Sequence, residues 1–286
     1  MERKSTYSKF IQFVNTYSIW VALGSFSTYL FFSKIYKANP NYLIALGLAL
    51  GVWFIYTLDH LLDGVTLKER AVSIRHKEHF DNKKALKTLL VLVAFVLLTI
   101  AFLIPQEYYR FIGVLVLLTG LHFAMNYLVS ESVKRRIFLK EVFIAFVVTL
   151  GFAYTPFLEL EDKYTFGLIG NYLVFIFFIN LANLILFSLF DKDADKLSST
   201  LSIARFYSNR TLQFFIALSL LISLGYALVL YLGCSCISTV AFTVILCMQL
   251  TLFVISQFPA YFRINDRFRF YGDLIYLYPL FALPFL

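Results

Sequence analysis

Long apolar runs separated by short polar segments dominate this chain. Runs of span length lie near 13–33, 41–60, 86–104, 109–129, 141–158, 168–190, 212–232, 237–258 and 272–286. Most reach the roughly 20 residues that a helix needs to cross a hydrocarbon core, and the last is short. The runs are continuous rather than alternating, which argues against the strands of a β-barrel. The pattern predicts an all-α fold, a polytopic membrane bundle of about nine transmembrane helices, with residues 1–286 forming a single transmembrane domain.

Composition agrees with this reading. The 286 residues are 60% hydrophobic and only 15% charged, with a mean hydropathy of +0.77. A soluble domain of this length needs far more polar surface. The basic start MERKSTYSKF is not followed by a short apolar core and a small-residue cleavage site, so the first span is expected to stay in the membrane. Cys234, Cys236 and Cys247 show no metal-ligand spacing and no disulfide framework. Cys234 and Cys236 stand too close to bridge comfortably, and all three read as small apolar residues in or near spans.

The net charge of +8 bears first on topology. With the N-terminus inside, the inner segments hold 21 of the 25 Lys and Arg, and the outer ones keep only Lys34, Lys37, Arg110 and Lys163. This bias predicts a cytoplasmic N-terminus for a multi-pass protein of the bacterial cell (inner) membrane. No basic stripe sits on a soluble module, so nucleic acid is not an expected partner.

That topology puts two acidic pairs on one side of the membrane. Asp59/Asp63 and Asp191/Asp195 each have i, i+4 spacing, which places both carboxylates on one helix face. Both pairs close an apolar run at its C-terminal end. The helix dipole is negative there and penalises a carboxylate by roughly 0.3–1 kcal/mol. Acids are also costly near the bilayer. Two such ends imply a compensating cation, and carboxylate oxygens suit Mg²⁺, Ca²⁺ or Mn²⁺. The pairs read as halves of a site for a divalent metal and a polyphosphate, against the plainer reading of solvated helix ends beside basic loops. Asp193 points away from Asp191 by about 200° on an ideal helix and is the less certain member.

Neighbouring residues extend the picture. In SIRHKEHF, Arg75 can grip phosphate through its planar fork, while His76 and His79 read equally as loop histidines, with no third ligand arguing for zinc. The run Lys134-Arg135-Arg136 is first a topology signal, though Lys134 or Arg135 can reach a diphosphate. Asn180 and Asn183 are either interhelical hydrogen-bonders or site-liners. Among 33 Phe and 19 Tyr, Tyr56, Tyr154 and Phe187 are candidates to line an apolar groove and to face a carbocation. The echo of TLDHLLD…SIR in LFDKDAD…SIAR hints at a parallel internal repeat or at chance.

These residues resemble the UbiA-type intramembrane prenyltransferases. Those proteins have nine helices and two aspartate-rich motifs at the cytoplasmic ends of helices two and six. Asp59 and Asp63 match the last two acids of the first motif, N-D-x-x-D-x-x-x-D, with Ile55 and Tyr56 where Asn and Asp are expected. Asp191, Asp193 and Asp195 match the second, and Ser199-Thr200 resembles the Ser-Thr that follows it. Ser198 takes the place of a Lys often seen there. Tyr127 with Lys134-Arg135 looks like the basic loop before helix five. The resemblance implies a divergent member that transfers an isoprenyl group from a prenyl diphosphate to a hydrophobic acceptor, aromatic or lipid-like, within the membrane. Asp59, Asp63, Asp191 and Asp195 would hold Mg²⁺ and serve catalysis. Arg75, Lys134, Arg135, Asn183 and Tyr56 would contact substrate.

Two other functions fit the same sequence. One is a UbiA-like protein without transferase activity, binding lipid or aiding assembly. The other is a transporter whose acidic helix ends line a pathway. The D-G-x₂-A-R signature of CDP-alcohol phosphotransferases is absent, since Asp63-Gly64 continues as Val-Thr-Leu-Lys.

Overall fold

The structure is a computed structural model that describes residues 6–67, 74–127, 140–160, 166–197, 202–233 and 235–286. The described residues form helices and no strand. The main helices are α1 (Thr6–Thr16), α2 (Ile19–Tyr36), α3 (Tyr42–Leu67), α4 (Ile74–Asp81), α5 (Lys83–Leu103), α6 (Tyr109–Tyr127), α7 (Lys140–Thr149), α8 (Phe166–Leu197), α9 (Asn209–Leu228), α10 (Thr239–Gln257) and α11 (Arg267–Leu274). Seven described helical segments have the length and apolarity to cross a membrane, between Tyr42 and Gln257. Bulky side chains such as Phe95 and Phe102 on α5, Val116 on α6 and Leu221 on α9 are exposed. Such a coat suits lipid rather than water. The chain is an integral, multi-pass membrane protein.

The first and last predicted spans differ from the pattern, each for a local reason. The run at 13–33 is split into α1 and α2, because Ser18 adopts a left-handed backbone (φ 52°). The run at 272–286 is a series of short helical pieces, with Pro279 and Pro284 starting two of them. Proline tolerates a helix start but cannot continue the ladder behind it. Cys247 is free. Cys236 is disulfide-bonded, which corrects the expectation that it bridges nothing. The left-handed turn at Ser235 (φ 50°) folds the chain sharply beside it, which the spacing alone did not reveal. Position 234 lies outside the described residues.

Helix ends carry chemical caps. Asn41 Oδ1 accepts from the backbone N–H of Leu43 and Ile44 at 3.1 and 3.3 Å. Ser208 and Ser238 cap α9 and α10 by accepting from Thr211 and Ala241. α2 closes with a left-handed Lys37, and the N–H of Ala38 reaches the Ser33 carbonyl at 2.9 Å. Each such cap contributes about 1 kcal/mol.

α8 is the most buried of the long helices. Its apolar residues join those of α2, α9, α10 and the C-terminal pieces in the main core. A smaller cluster ties α2 to α3 and α5 through Tyr29, Ile44 and Ile100. Lipid is as apolar as leucine, so close packing and hydrogen bonds between helices replace the hydrophobic effect. Ser223 donates to the Phe175 carbonyl at 2.9 Å, and Gln249 donates to Ser223 at 2.8 Å. α2 meets the C-terminal segment at Gly24, where an added Cβ would stand 2.5 Å from Tyr276 Cβ. Gly24→Ala should therefore lower stability by roughly 1–3 kcal/mol, read as an earlier thermal transition of the detergent-purified protein. An unchanged transition would show that the two segments part easily.

Candidate functional site

α3 and α8 line a common cavity, Val52 and Tyr56 from one and Asn180, Asn183 and Phe187 from the other. α3 brings Tyr56, Asp59, His60 and Asp63. It packs tightly on α4 at Gly64, where a Cβ would lie 2.6 Å from the His76 carbonyl oxygen. α8 brings Asn180, Asn183, Phe187, Asp191 and Asp195. α11 adds Arg269 and Asp273, i, i+4 neighbours on one helix face. Gly272 between them lets α11 settle on α8, since a Cβ there would meet Phe187 at 2.6 Å and Asn183 Oδ1 at 2.9 Å.

Two arginines join the acidic ends. Arg75 lies within electrostatic reach of Asp59 from α3, Asp191 from α8, and Asp273 and Arg269 from α11. Burial, then the neighbouring Arg269, lowers its pKa to about 10, so it stays charged near neutrality. Its Nε is buried without a partner among the described residues. Arg269 donates to Asp191 Oδ2 in a short, partly buried ion pair. Its guanidinium lies over Phe187, 5.0 Å from the ring centroid. Burial alone would lower the Arg269 pKa, but the carboxylates of Asp191, Asp273 and Asp266 outweigh it and raise it. Asp195 belongs to the same electrostatic neighbourhood, near Asp191, Lys140 and Arg269. Asp193 stands apart, in an exposed pair with Arg263 at 3.5 Å that contributes little. That agrees with the helical geometry expected from its spacing.

A histidine cluster supports the α3–α4 contact. His76 Nε2 is 3.6 Å from Asp63 Oδ2. Burial, then Arg75 and Arg269, pushes the His76 pKa down to about 3. The ring is neutral at pH 7, so the contact with Asp63 is not an ion pair there. His79 hydrogen-bonds the Arg75 carbonyl through Nδ1 at 2.9 Å, and burial lowers its pKa as well. His60 is buried, with ring centroids 5.9 Å from His76 and 5.5 Å from His79. The unfolded chain protonates His76 near pH 6.5, before the folded one does. Its contribution to stability is full above that pH and is lost as pH falls towards 3, at up to about 1.4 kcal/mol per pH unit. His76→Gln should flatten this acid-side loss in thermal melts between pH 7 and pH 4. An equally steep loss in the variant would put its origin elsewhere.

Beneath the charged cluster lies a narrow cavity lined by Tyr56, Phe152, Asn183, Phe187, Asp273 and Tyr276, among others. Polar groups link its walls. Tyr276 donates to Asn180 Oδ1 at 2.7 Å, Asn180 donates to Thr149 at 3.0 Å, and Asn183 donates to Tyr276 at 3.5 Å. Asn180 and Asn183 thus both bond between helices and line the cavity. Tyr154 is not part of it. It packs on Phe111 and Phe157 towards the far end of its segment.

Of the sequence-predicted site residues, Asp59, Asp191, Asp195 and Arg75 share one electrostatic neighbourhood, Asp63 meets His76, and Asn183 and Tyr56 line the cavity. Lys134 and Arg135 lie outside the described residues, as does Ser198-Ser199-Thr200. The sequence reading missed Arg269, Asp273, Tyr276 and His60. The signal for the first two was present, because they form another charged i, i+4 pair at the mouth of an apolar run.

The fold has a solved counterpart. The apo structure of a UbiA homolog from Aeropyrum pernix K1 superposes with a TM-score of 0.67 at 10% identity, covering 94% of this chain and 99% of that one. This chain has a UbiA-type fold. No protein-family model matches it, and neither does any curated protein.

Proposed function

We propose that the protein transfers an isoprenyl group from a prenyl diphosphate to a hydrophobic acceptor within the membrane. One observation carries this reading. A half-buried arginine, Arg75, whose Nε has no partner among the described residues, lies within electrostatic reach of carboxylates from two distant helices and of Asp273, which lines an aromatic-walled cavity. The donor's two ends have matching chemistry. Arg75 and Arg269 offer planar donors to the diphosphate oxygens. Tyr56 and Phe187 present aromatic faces to the allylic carbon, where positive charge develops as the C–O bond breaks. Closing the cavity against water keeps that carbon for the acceptor.

The donor set fits Mg²⁺. Asp63 and Asp191 keep 29% and 31% side-chain exposure, so neither carboxylate is sealed from solvent. No three His, Cys, Asp or Glu groups among the described residues form a ready cage. Mg²⁺ needs none, since it commonly takes one or two protein carboxylates and fills the rest with phosphate and water. Asp59 with Asp63, and Asp191 with Asp195, are the pairs that would hold it, and when bound it neutralises charge on the leaving diphosphate. The cytoplasmic side for this end follows from the lysine and arginine bias.

The test is a transfer assay. Membranes carrying the protein are given labelled geranylgeranyl, farnesyl or longer prenyl diphosphates, Mg²⁺ and a lipid extract. Release of diphosphate together with a labelled lipid supports the reading. Movement of intact prenyl diphosphate across proteoliposomes would indicate a transporter, and binding without turnover would indicate a silent homologue.

A further inference from the structure

Buried imidazole nitrogens meet where α3 packs on α4, and three of them have nothing to bond. His60 is 5% exposed and His79 is fully buried. Neither ring nitrogen of His60, nor Nε2 of His79, has a hydrogen-bond partner among the described residues. A neutral imidazole carries one N–H donor and one lone pair, and an unpaired polar atom in the interior is costly. The spacing is as unusual as the burial. His60 and Asp63 stand at i, i+3 on α3, and His76 and His79 stand at i, i+3 on α4. Each pair therefore shares one helix face, a spacing that helical bundles use to present metal ligands from facing helices. The two faces meet. The His60 ring centroid lies 5.9 Å from that of His76 and 5.5 Å from that of His79, and His76 Nε2 lies 3.6 Å from Asp63 Oδ2.

We infer that His60, His76, His79 and Asp63 form a binding site for a divalent transition-metal ion of the zinc class. Three imidazoles and one carboxylate suit such an ion, whereas Mg²⁺ prefers oxygen ligands throughout. Asp63 is the one residue shared with the carboxylate pairs assigned to Mg²⁺. With bonds of about 2.0–2.1 Å, two ligand atoms on one tetrahedral ion lie about 3.3 Å apart and two imidazole centroids about 5 Å apart. The distances here exceed those values by less than about 1 Å. The side chains do not stand as a ready cage, because the His60 ring plane is tilted by 50° and 84° from its two neighbours. The broad torsion about the histidine Cβ–Cγ bond lets the rings turn towards a common ion. One ligand is already held as metal-binding histidines commonly are. His79 Nδ1 lies 2.9 Å from the Arg75 carbonyl oxygen; a carbonyl only accepts, so Nδ1 donates and Nε2 keeps its lone pair. His76 and Asp63, with side chains 13% and 29% exposed, give the ion a way in. Four protein ligands close the shell, which marks a structural site. The ion staples α4 to α3 and, through His79, steadies the backbone of Arg75.

The test is metal binding by the full-length protein, purified on a tag without histidine and kept in excess Mg²⁺ to occupy sites made of carboxylates alone. Zn²⁺ should bind at one ion per chain and raise the melting transition. Co²⁺ in its place should give the strong visible absorption of a four-coordinate ion with nitrogen ligands. His60→Gln and His79→Gln should each weaken Zn²⁺ binding by at least the roughly 10–100-fold that loss of an outer partner costs, and should abolish the melting shift. Asp191→Asn should keep both. Zn²⁺ binding unchanged in the two histidine variants, or displaced by Mg²⁺, would assign the ion to the aspartates and overturn the inference. Wild-type protein that binds no Zn²⁺ would overturn it as well and leave the imidazoles as packing groups. The Co²⁺ spectrum needs no variant to fold, and the weak bands of a six-coordinate ion would contradict the assignment. None of these readouts depends on prenyl transfer.

Discussion

Asp191→Ala is expected to end prenyl transfer and also to weaken the fold. Asp191 accepts from Arg269 in the ion pair that joins α8 to α11. Removing the carboxylate strands a guanidinium whose side chain is 12% exposed. Truncating one member of a hydrogen-bonded charge pair costs about 2–5 kcal/mol. The partial exposure of Asp191 puts the effect near the lower end, roughly 2 kcal/mol. Asp191→Asn separates the two consequences, because its amide oxygen still accepts from Arg269. It should melt close to wild type and still lose turnover, measured as diphosphate release by the purified protein. An Asn variant with full turnover would remove Asp191 from the chemistry and leave it a structural partner of Arg269. Asp63→Ala gives the contrasting case. His76 beside it is neutral at pH 7, so that contact is not an ion pair to lose, and activity should fall.

Arg75→Met is the second large effect, and it should appear first in donor binding. Arg75 lies within electrostatic reach of Asp59 and Asp191, and its Nε has no partner among the described residues. A charge-assisted hydrogen bond to phosphate contributes about 1.5–3 kcal/mol, so the affinity for prenyl diphosphate should drop by about 10- to 150-fold. Arg75→Lys keeps the charge but loses the planar fork and should recover only part of that affinity. Isothermal titration with a non-hydrolysable prenyl diphosphate analogue reads the change directly. Affinity unchanged in Arg75→Met would show that the head binds elsewhere. The variant also removes a cation within electrostatic reach of two acidic helix ends, so its melting should be compared at low and high salt.

Much of this site was legible because it breaks a rule. Carboxylates at the C-terminal ends of apolar helices oppose the helix dipole, and Asp59, Asp63, Asp191 and Asp195 stood out for that reason alone. The lysine and arginine bias then put both pairs on one side. The partners were harder to read. Arg269 and Asp273 sit at the start of a short, proline-interrupted run, where a span rule looks for apolar length rather than charge. Tyr276 reaches Asn180 across 96 positions and Asn183 across 93, and no local pattern encodes such a pairing. His60 sits inside TLDHLLD, where its contacts with His76 and His79 depend on how α4 folds back on α3. The break at Ser18 was hidden because the left-handed conformation, usually left to glycine, falls there on serine. Tyr154 looked as suitable as Tyr56 by type, and only the register of the chain shows it at the wrong end of the bundle. In each case sequence periodicity located the helices, while contacts distant in sequence decided which of their residues face the cavity.

The most direct test is an experimental structure with a non-hydrolysable prenyl diphosphate analogue and Mg²⁺. Density for the diphosphate beside Arg75, between the Asp59 and Asp191 ends, with the first isoprene unit entering the cavity by Tyr56 and Phe187, is the predicted result. An analogue lodged elsewhere, with α3 and α8 turning their acids into separate solvent, would contradict it.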